Sequence, residues 1–132
     1  MSVATLPLRE VLDVCESGTR PRGGVKGIAS GVPSLGGEHL NRRGGFDLEN
    51  IRFVPAAFAK AMTRGHLHIG DVLVVKDGAT NGKVSMVRDN FPYTDAVINE
   101  HLFRLRPKED FDSSYIFYFL FSHTGHHQIL SD

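Results

Sequence analysis

At 132 residues the chain has the size of one domain and enough length to bury a core, and its 41% hydrophobic and 23% charged residues are those of an ordinary globular protein. A single cysteine excludes an internal disulfide, no apolar run approaches the roughly 20 residues of a spanning helix, and "MSVATLPLREVL" lacks a signal pattern, so the expected location is the cytoplasm. Fifteen basic residues balance fifteen acidic ones, yet residues 17–64 hold eight basic residues (Arg20, Arg22, Lys26, Arg42, Arg43, Arg52, Lys60, Arg64) against three acidic ones, so a neutral chain can still present a positive face to a polyanion.

The first segment, "LPLREVLDVCESG", has Leu8, Val11, Leu12 and Cys15 at helical spacing with Gly18 as a stop. It reads as a short helix, or as a helix running into a strand. Cys15 has no helix start or base beside it and reads as a small buried or half-buried apolar residue. Residues 18–45 follow, with nine of the fourteen glycines and two of the six prolines, too long a stretch for an ordinary connection. Ile28, Val32 and Leu35 punctuate it as anchors to a core, so it reads as an ordered functional loop.

"PAAFAKAMTRG", residues 55–65, predicts a short helix with proline at its first position and glycine at its end. "GDVLVVKDG", "KVSMVRD" and "NEHLFRLRP" predict three strands, the last placing Phe103 and Leu105 on one face and Arg104 and Arg106 on the other. "DFDSSYIFYFLFSHTGHHQIL" predicts a helix capped by Asp112 or Ser113, broken near Gly125, with Tyr115, Ile116, Phe119 and Leu120 facing the core. Short helices and strands outside strict βαβ alternation indicate one compact α+β domain with a mainly antiparallel, curved sheet and long glycine-rich loops.

Three catalytic or cofactor readings fail on spacing. Gly78 and Gly82 enclose three residues where a phosphate-binding Walker A loop needs four, and Val84 follows Lys83 where that loop needs a hydroxyl for magnesium. A strand rather than a helix comes next, so no helix dipole faces a phosphate. "NFPY", residues 90–93, is similar to the Asn-Pro-Pro-Tyr motif of DNA amino-methyltransferases, but Phe91 replaces the first proline and no glycine-rich donor turn is present; a proline turn explains it better. The histidines His66 and His68, and His123, His126 and His127, have neither cysteine partners nor the metalloprotease helix spacing, so no metal and no cofactor is expected. No nucleophile, base and orienting acid stand out, and the chain reads as a non-enzyme.

Read together, "SGTRPRGG" (17–24), "GVPSLGGEHL" (31–40), "GDVLVVKDGATNGKVSMV" (70–87) and "INEHLFRLRP" (98–107) resemble, in this order, the target recognition domains of the specificity subunit of type I restriction-modification enzymes. The final "SSYIFYFLFSHTGHHQI" is similar to that family's aromatic helix and glycine turn. The resemblance covers nearly the whole chain from about Leu6. It implies a module that reads one half of a split site on double-stranded DNA and works with a methylation subunit and, through it, a restriction subunit. It also implies a single recognition domain over residues 1–132, without the spacer helix and second recognition domain of a full specificity subunit. A recombinant fragment, a truncated half-subunit and a free-standing cassette all fit that departure, and a lone domain can dimerise to read a symmetric site.

The DNA-binding residues then expected are Thr19, Arg20, Arg22 and Lys26 on the first loop, Ser34, Asn41, Arg42 and Arg43 on the second, and Lys76, Asn81 and Lys83 beside the hairpin. Arginines and lysines suit phosphates or guanine edges. Asn41 and Asn81 suit adenine, or stand in their turns for left-handed backbone. Lys83 has Asp77 as an alternative partner, and Asp95, Asn99 and Glu100 read as scaffold residues. Two rival readings are a module of the same fold that binds methylation or specificity subunits without reading DNA, its aromatic C-terminal helix being the contact surface, and a piece of a fused methyltransferase-endonuclease.

Overall fold

A computed structural model of the chain describes residues 8–76 and 83–122. One helical turn, α1 (Leu8–Val11), runs directly into β1 (Leu12–Ser17), the second of the two alternatives read from the sequence. Strand β1 pairs antiparallel with β7 (Leu102–Pro107), β7 with β4 (Val72–Val75), and β4 with β5 (Val84–Met86), giving a four-stranded sheet of order β1-β7-β4-β5. These include the three strands expected from apolar runs. Residues 77–82 between β4 and β5, with Asp77 and Asn81, lie outside those described.

A second sheet, β3-β2-β6, was not legible as such. It joins β2 (Val32–Leu35), β3 (Arg52–Val54) and β6 (Val97–Ile98), antiparallel for β2 with β3 and parallel for β2 with β6. The mainly antiparallel strands of the α+β domain are thus divided between two sheets, and residues 18–45 include a buried strand and a short 3-10 turn at Gly37–His39. The α+β class stands.

The layers follow from which side chains each face must hide. Helix α3 (Ser113–Ser122) covers the face of the first sheet that carries Val72, Val74 and Leu105. The opposite face, with Leu73, Val75 and Leu102, packs on Leu35, Leu40 and Ile98 of the second sheet and its flank. The far face of the second sheet, with Val32, Val54 and Val97, is closed by Phe58 and Ala59 of α2 (Ala56–Ala61), together with Met62 and Val25. Each fully buried aliphatic side chain contributes about 1.5–3 kcal/mol. All four residues of β4 are buried because both faces of its sheet are covered, which is why "VLVV" does not alternate.

Two helices differ from expectation in detail. Pro55 precedes α2 as its N-cap rather than opening it, and the helix ends at Ala61, short of Gly65. In α3 the Asp112 carboxylate accepts the Ser114 amide at 2.7 Å, the expected cap, but the buried face is Ile116, Phe117 and Leu120. Tyr115 stands outside, stacked on half-buried Phe119. Phe117 takes the inner place because it lies against Gly44, where a β-carbon would collide with its ring.

Arg104 and Arg106 do share a face, which is covered at Arg104 and partly open at Arg106. Arg104, 6% exposed, donates to Glu16 Oε2 at 2.8 and 3.1 Å and to Asp71 Oδ2 at 2.9 Å, while Arg106 reaches Asp71 Oδ1 at 3.3 Å. Glu16 also accepts the Gly65 amide at 2.8 Å, and Asp71 the His68 amide at 2.8 Å. Partial burial pushes the Glu16 carboxyl up, but the Gly65 amide, the Arg104 guanidinium and the charge of Arg106 outweigh it, and the net direction is down. Next to it Cys15 is exposed, against expectation, with its thiol pushed up by partial desolvation and by the Glu16 charge. No helix among the described residues is long and apolar enough to cross a membrane.

Candidate nucleic-acid interface

The first loop leaves the four-stranded sheet at a fixed point. The Gly18 amide donates to the Asn99 carbonyl at 3.1 Å, and a β-carbon at Gly18 would run into the Ile98 carbonyl, so only glycine lets the chain pass β6 this closely. Ser17 Oγ donates to the Leu102 and Glu100 carbonyls at 2.9 and 3.2 Å, holding the loop's base to the start of β7. The chain then turns back at Gly23 and Gly24, at φ +88° and +84°, with the Gly24 amide on the Pro21 carbonyl at 2.9 Å. Val25 tucks against the second sheet and pins the return.

This path opens two adjoining hollows that share Arg20, Gly23 and Gly24. One, of about 540 Å³, is flanked by Thr19, Arg20, Arg22 and Glu100. The other, of about 420 Å³, reaches Lys26, Glu38, Arg52, Asn99 and His101, with Ser34 and His39 among its lining residues. Four cations, Arg20, Arg22, Lys26 and Arg52, therefore border them against two carboxylates, Glu38 and Glu100. Arg20 Nε lies 2.8 Å from Glu100 Oε2, and Arg52 Nε donates to Glu38 Oε2 at 3.3 Å. All four of these side chains are a third or more exposed, so water and salt screen both pairs. Arg22 and Lys26 are exposed and have no ionic partner among the described residues.

Beneath this rim the hydrogen bonds are specific. His39, 2% exposed, accepts the Gly36 amide at Nδ1 (2.9 Å), which leaves the proton on Nε2 to be donated to the Asn50 carbonyl at 3.1 Å. Asn99 accepts the His101 amide at 2.8 Å and donates its own amide to the Leu35 carbonyl at 2.9 Å. Asn99 and Glu100 thus serve as scaffold, as expected. Asp95 is exposed and makes no such link among the described residues.

The expected site residues divide into groups. Thr19, Arg20, Arg22 and Lys26 come together around the hollows. Ser34 is 4% exposed in the middle of β2, a lining residue rather than part of an outer reading surface, because β2 is a strand and not a loop. Asn41 is engaged with its own turn: its Oδ1 accepts the amides of Arg43 and Gly45, both at 2.9 Å. No non-glycine residue among those described has a positive φ, so Asn41 is not there for left-handed backbone. Arg42 and Arg43 stand exposed at the tip of that turn.

The turn leans on β5, with the Gly45 carbonyl accepting Ser85 Oγ at 2.6 Å and the Gly44 carbonyl accepting the Met86 amide at 3.3 Å. Strands β5 and β1 are opposite edges of the first sheet, about 14 Å apart at three strand spacings. The structure therefore separates Arg42 and Arg43 from the first loop. Lys76 and Lys83 lie at the end of the sheet where that loop leaves: the Lys76 amide donates to the His101 carbonyl at 2.7 Å, its Nζ sits 5.2 Å from the Phe103 ring centroid, and the Lys83 carbonyl accepts the Val75 amide at 3.2 Å. Asn81 lies outside the described residues.

Sequence reasoning missed Arg52, Glu38 and His101 as members of the site. The signal for Arg52 was only its place in the basic half; its position comes from pairing opposite Ser34 in a strand three residues long. Among the described residues no three His, Cys, Asp or Glu side chains converge as metal ligands would, and His66 is engaged with the Met62 carbonyl at 2.9 Å. His123, His126 and His127 lie outside the described residues.

No protein-family model matches the chain, and no curated protein matches it. Among solved structures, the HsdS subunit from Thermoanaerobacter tengcongensis is similar in fold, with a TM-score of 0.60 at 18% identity over 96% of this chain. The chain spans 27% of the length of that protein. At this identity the similarity shows a shared fold.

Proposed function

We propose that the chain is a DNA recognition domain that reads one half of a bipartite site for a type I restriction-modification system. The observation that carries this reading is the basic, glycine-turned rim of Arg20, Arg22, Lys26 and Arg52 around open hollows. The fold shared with an HsdS subunit and the resemblance of the loops to target recognition domains support it. In this reading the chain binds and does not catalyse; methylation and cleavage belong to partner subunits. Charged side chains at the rim meet phosphates and set position, and a few directed groups read base edges. Affinity should fall steeply with salt. Selection from a random duplex pool, with the chain alone and with its cognate methylation subunit, is expected to enrich one half-site motif; no enriched motif in either case would end this reading.

A second reading has its own observation. Tyr115, Tyr118 and Phe121 are 40%, 58% and 44% exposed along one side of α3, a stripe suited to contact with another protein. A chain that selects no DNA motif in either case but co-elutes with the methylation subunit would be a docking module of the same fold.

A further inference from the structure

We infer that Arg20 is the guanine-reading residue of the site, that Glu100 is the positioning residue that aims it, and that Arg22 and Lys26 supply the phosphate contacts. This rests on the DNA-reading proposal and divides its labour. Arg20 meets the Glu100 carboxylate through Nε, the inner nitrogen of the guanidinium, at 2.8 Å. No hydrogen bond engages either terminal amino group among the described residues, so both stay available as a fork while the side chain remains half exposed at the rim. Such a fork matches the O6 and N7 acceptors of guanine in the major groove, a match that lysine cannot make.

The backbone that carries this carboxylate is held in place. The Glu100 carbonyl accepts Ser17 Oγ at 3.2 Å, and the preceding Asn99 is tied to Gly18, Leu35 and His101. Glu100 Oε1 is buried and has no hydrogen-bond partner among the described residues, whereas Oε2 faces Arg20 and, at 3.7 Å, His101 Nε2. The pairing also cancels much of the net charge of Arg20. A phosphate rewards net charge and therefore gains less from Arg20 than from unpaired Arg22 or Lys26; a base edge rewards direction, which Glu100 provides.

The test compares wild type, R20K, E100Q and the double variant R22A/K26A by selection from a random duplex pool, followed by salt titration on the selected duplex. R20K keeps the charge and is expected to lose about 5- to 150-fold discrimination at one G·C pair with an unchanged salt slope. E100Q keeps the side-chain shape and is expected to relax preference at that same pair without weakening binding to other sequences. R22A/K26A is expected to weaken binding to all sequences alike and to flatten the salt slope, with the motif kept. A wild-type motif that survives both R20K and E100Q, or a preference lost at different pairs in the two, overturns the assignment while DNA reading stands. No motif for wild type overturns the proposed function itself.

Discussion

Asp71 has no exposed surface, and the His68 amide, Arg104 and Arg106 all converge on its two oxygens. Glu16 closes the other side of Arg104 and takes the Gly65 amide, so two carboxylates and two guanidinium groups tie β1, β7 and the approach to β4 into one network, buried at Asp71 and Arg104 and partly exposed at Glu16 and Arg106. Alternation in "HLFRLRP" was enough to put the two arginines on one face. Their partners were not legible, because Glu16 is 88 residues from Arg104 and nothing local links them. The network gives the molecule an acid sensitivity of definite sign. The Glu16 carboxyl is held below its ordinary value of 4.5, so its contribution to stability is complete above that pH and is lost as pH falls through the lower folded value. Glu16→Gln is therefore expected to melt below wild type at neutral pH, with the gap in Tm closing as the solution is acidified below about 4.5. A gap of constant size across that range would mean that Glu16 acts through shape and not through charge.

Strands β4, β5 and β7 were readable because apolar, β-branched runs between turn residues have few other uses. Strand β2 was not, because "VPSL" is buried at every position and sits inside a glycine-rich stretch, where neither alternation nor length marks it. Strands β3 and β6 are three and two residues long and are defined by pairing with β2, one of them across a parallel contact between Ser34 and Val97. The same logic governs α3, where the cap was legible in Asp112 but the buried face was set by a neighbour, Gly44. Phe117 packs there with Arg88 5.2 Å above its ring, while Tyr118 beside it is 58% exposed. Phe117→Ala is expected to cost about 3–5 kcal/mol in urea unfolding. Tyr118→Ala should stay within about 0.5 kcal/mol of wild type. Equal losses from the two would show that the tyrosine side of α3 is also packed.

Across the whole molecule the basic half of the sequence does not form one surface. The fold sends Thr19, Arg20, Arg22 and Lys26 to the side of the second sheet, where Arg52 joins them from β3. It sends Arg42 and Arg43 to the opposite edge of the first sheet, on a turn that rests on β5 and on Phe117 of α3. Position along the chain suggested one long reading loop; the buried strand between its two parts is what divides it. In the proposed DNA reading, a duplex over the hollows meets the first set and Lys76 and Lys83 at the same end of the sheet, and the second set lies on the turn against the other edge. Removing one cation from a phosphate lowers the steepness of log K against log salt by about 0.9 for B-form DNA. R22A/K26A should therefore reduce the slope by about 1.8, the effect of two such cations. R42A/R43A should leave slope and motif close to wild type, measured by fluorescence anisotropy on the selected half-site. An equal reduction from both double variants would place DNA across both edges of the first sheet and require the duplex to wrap the domain.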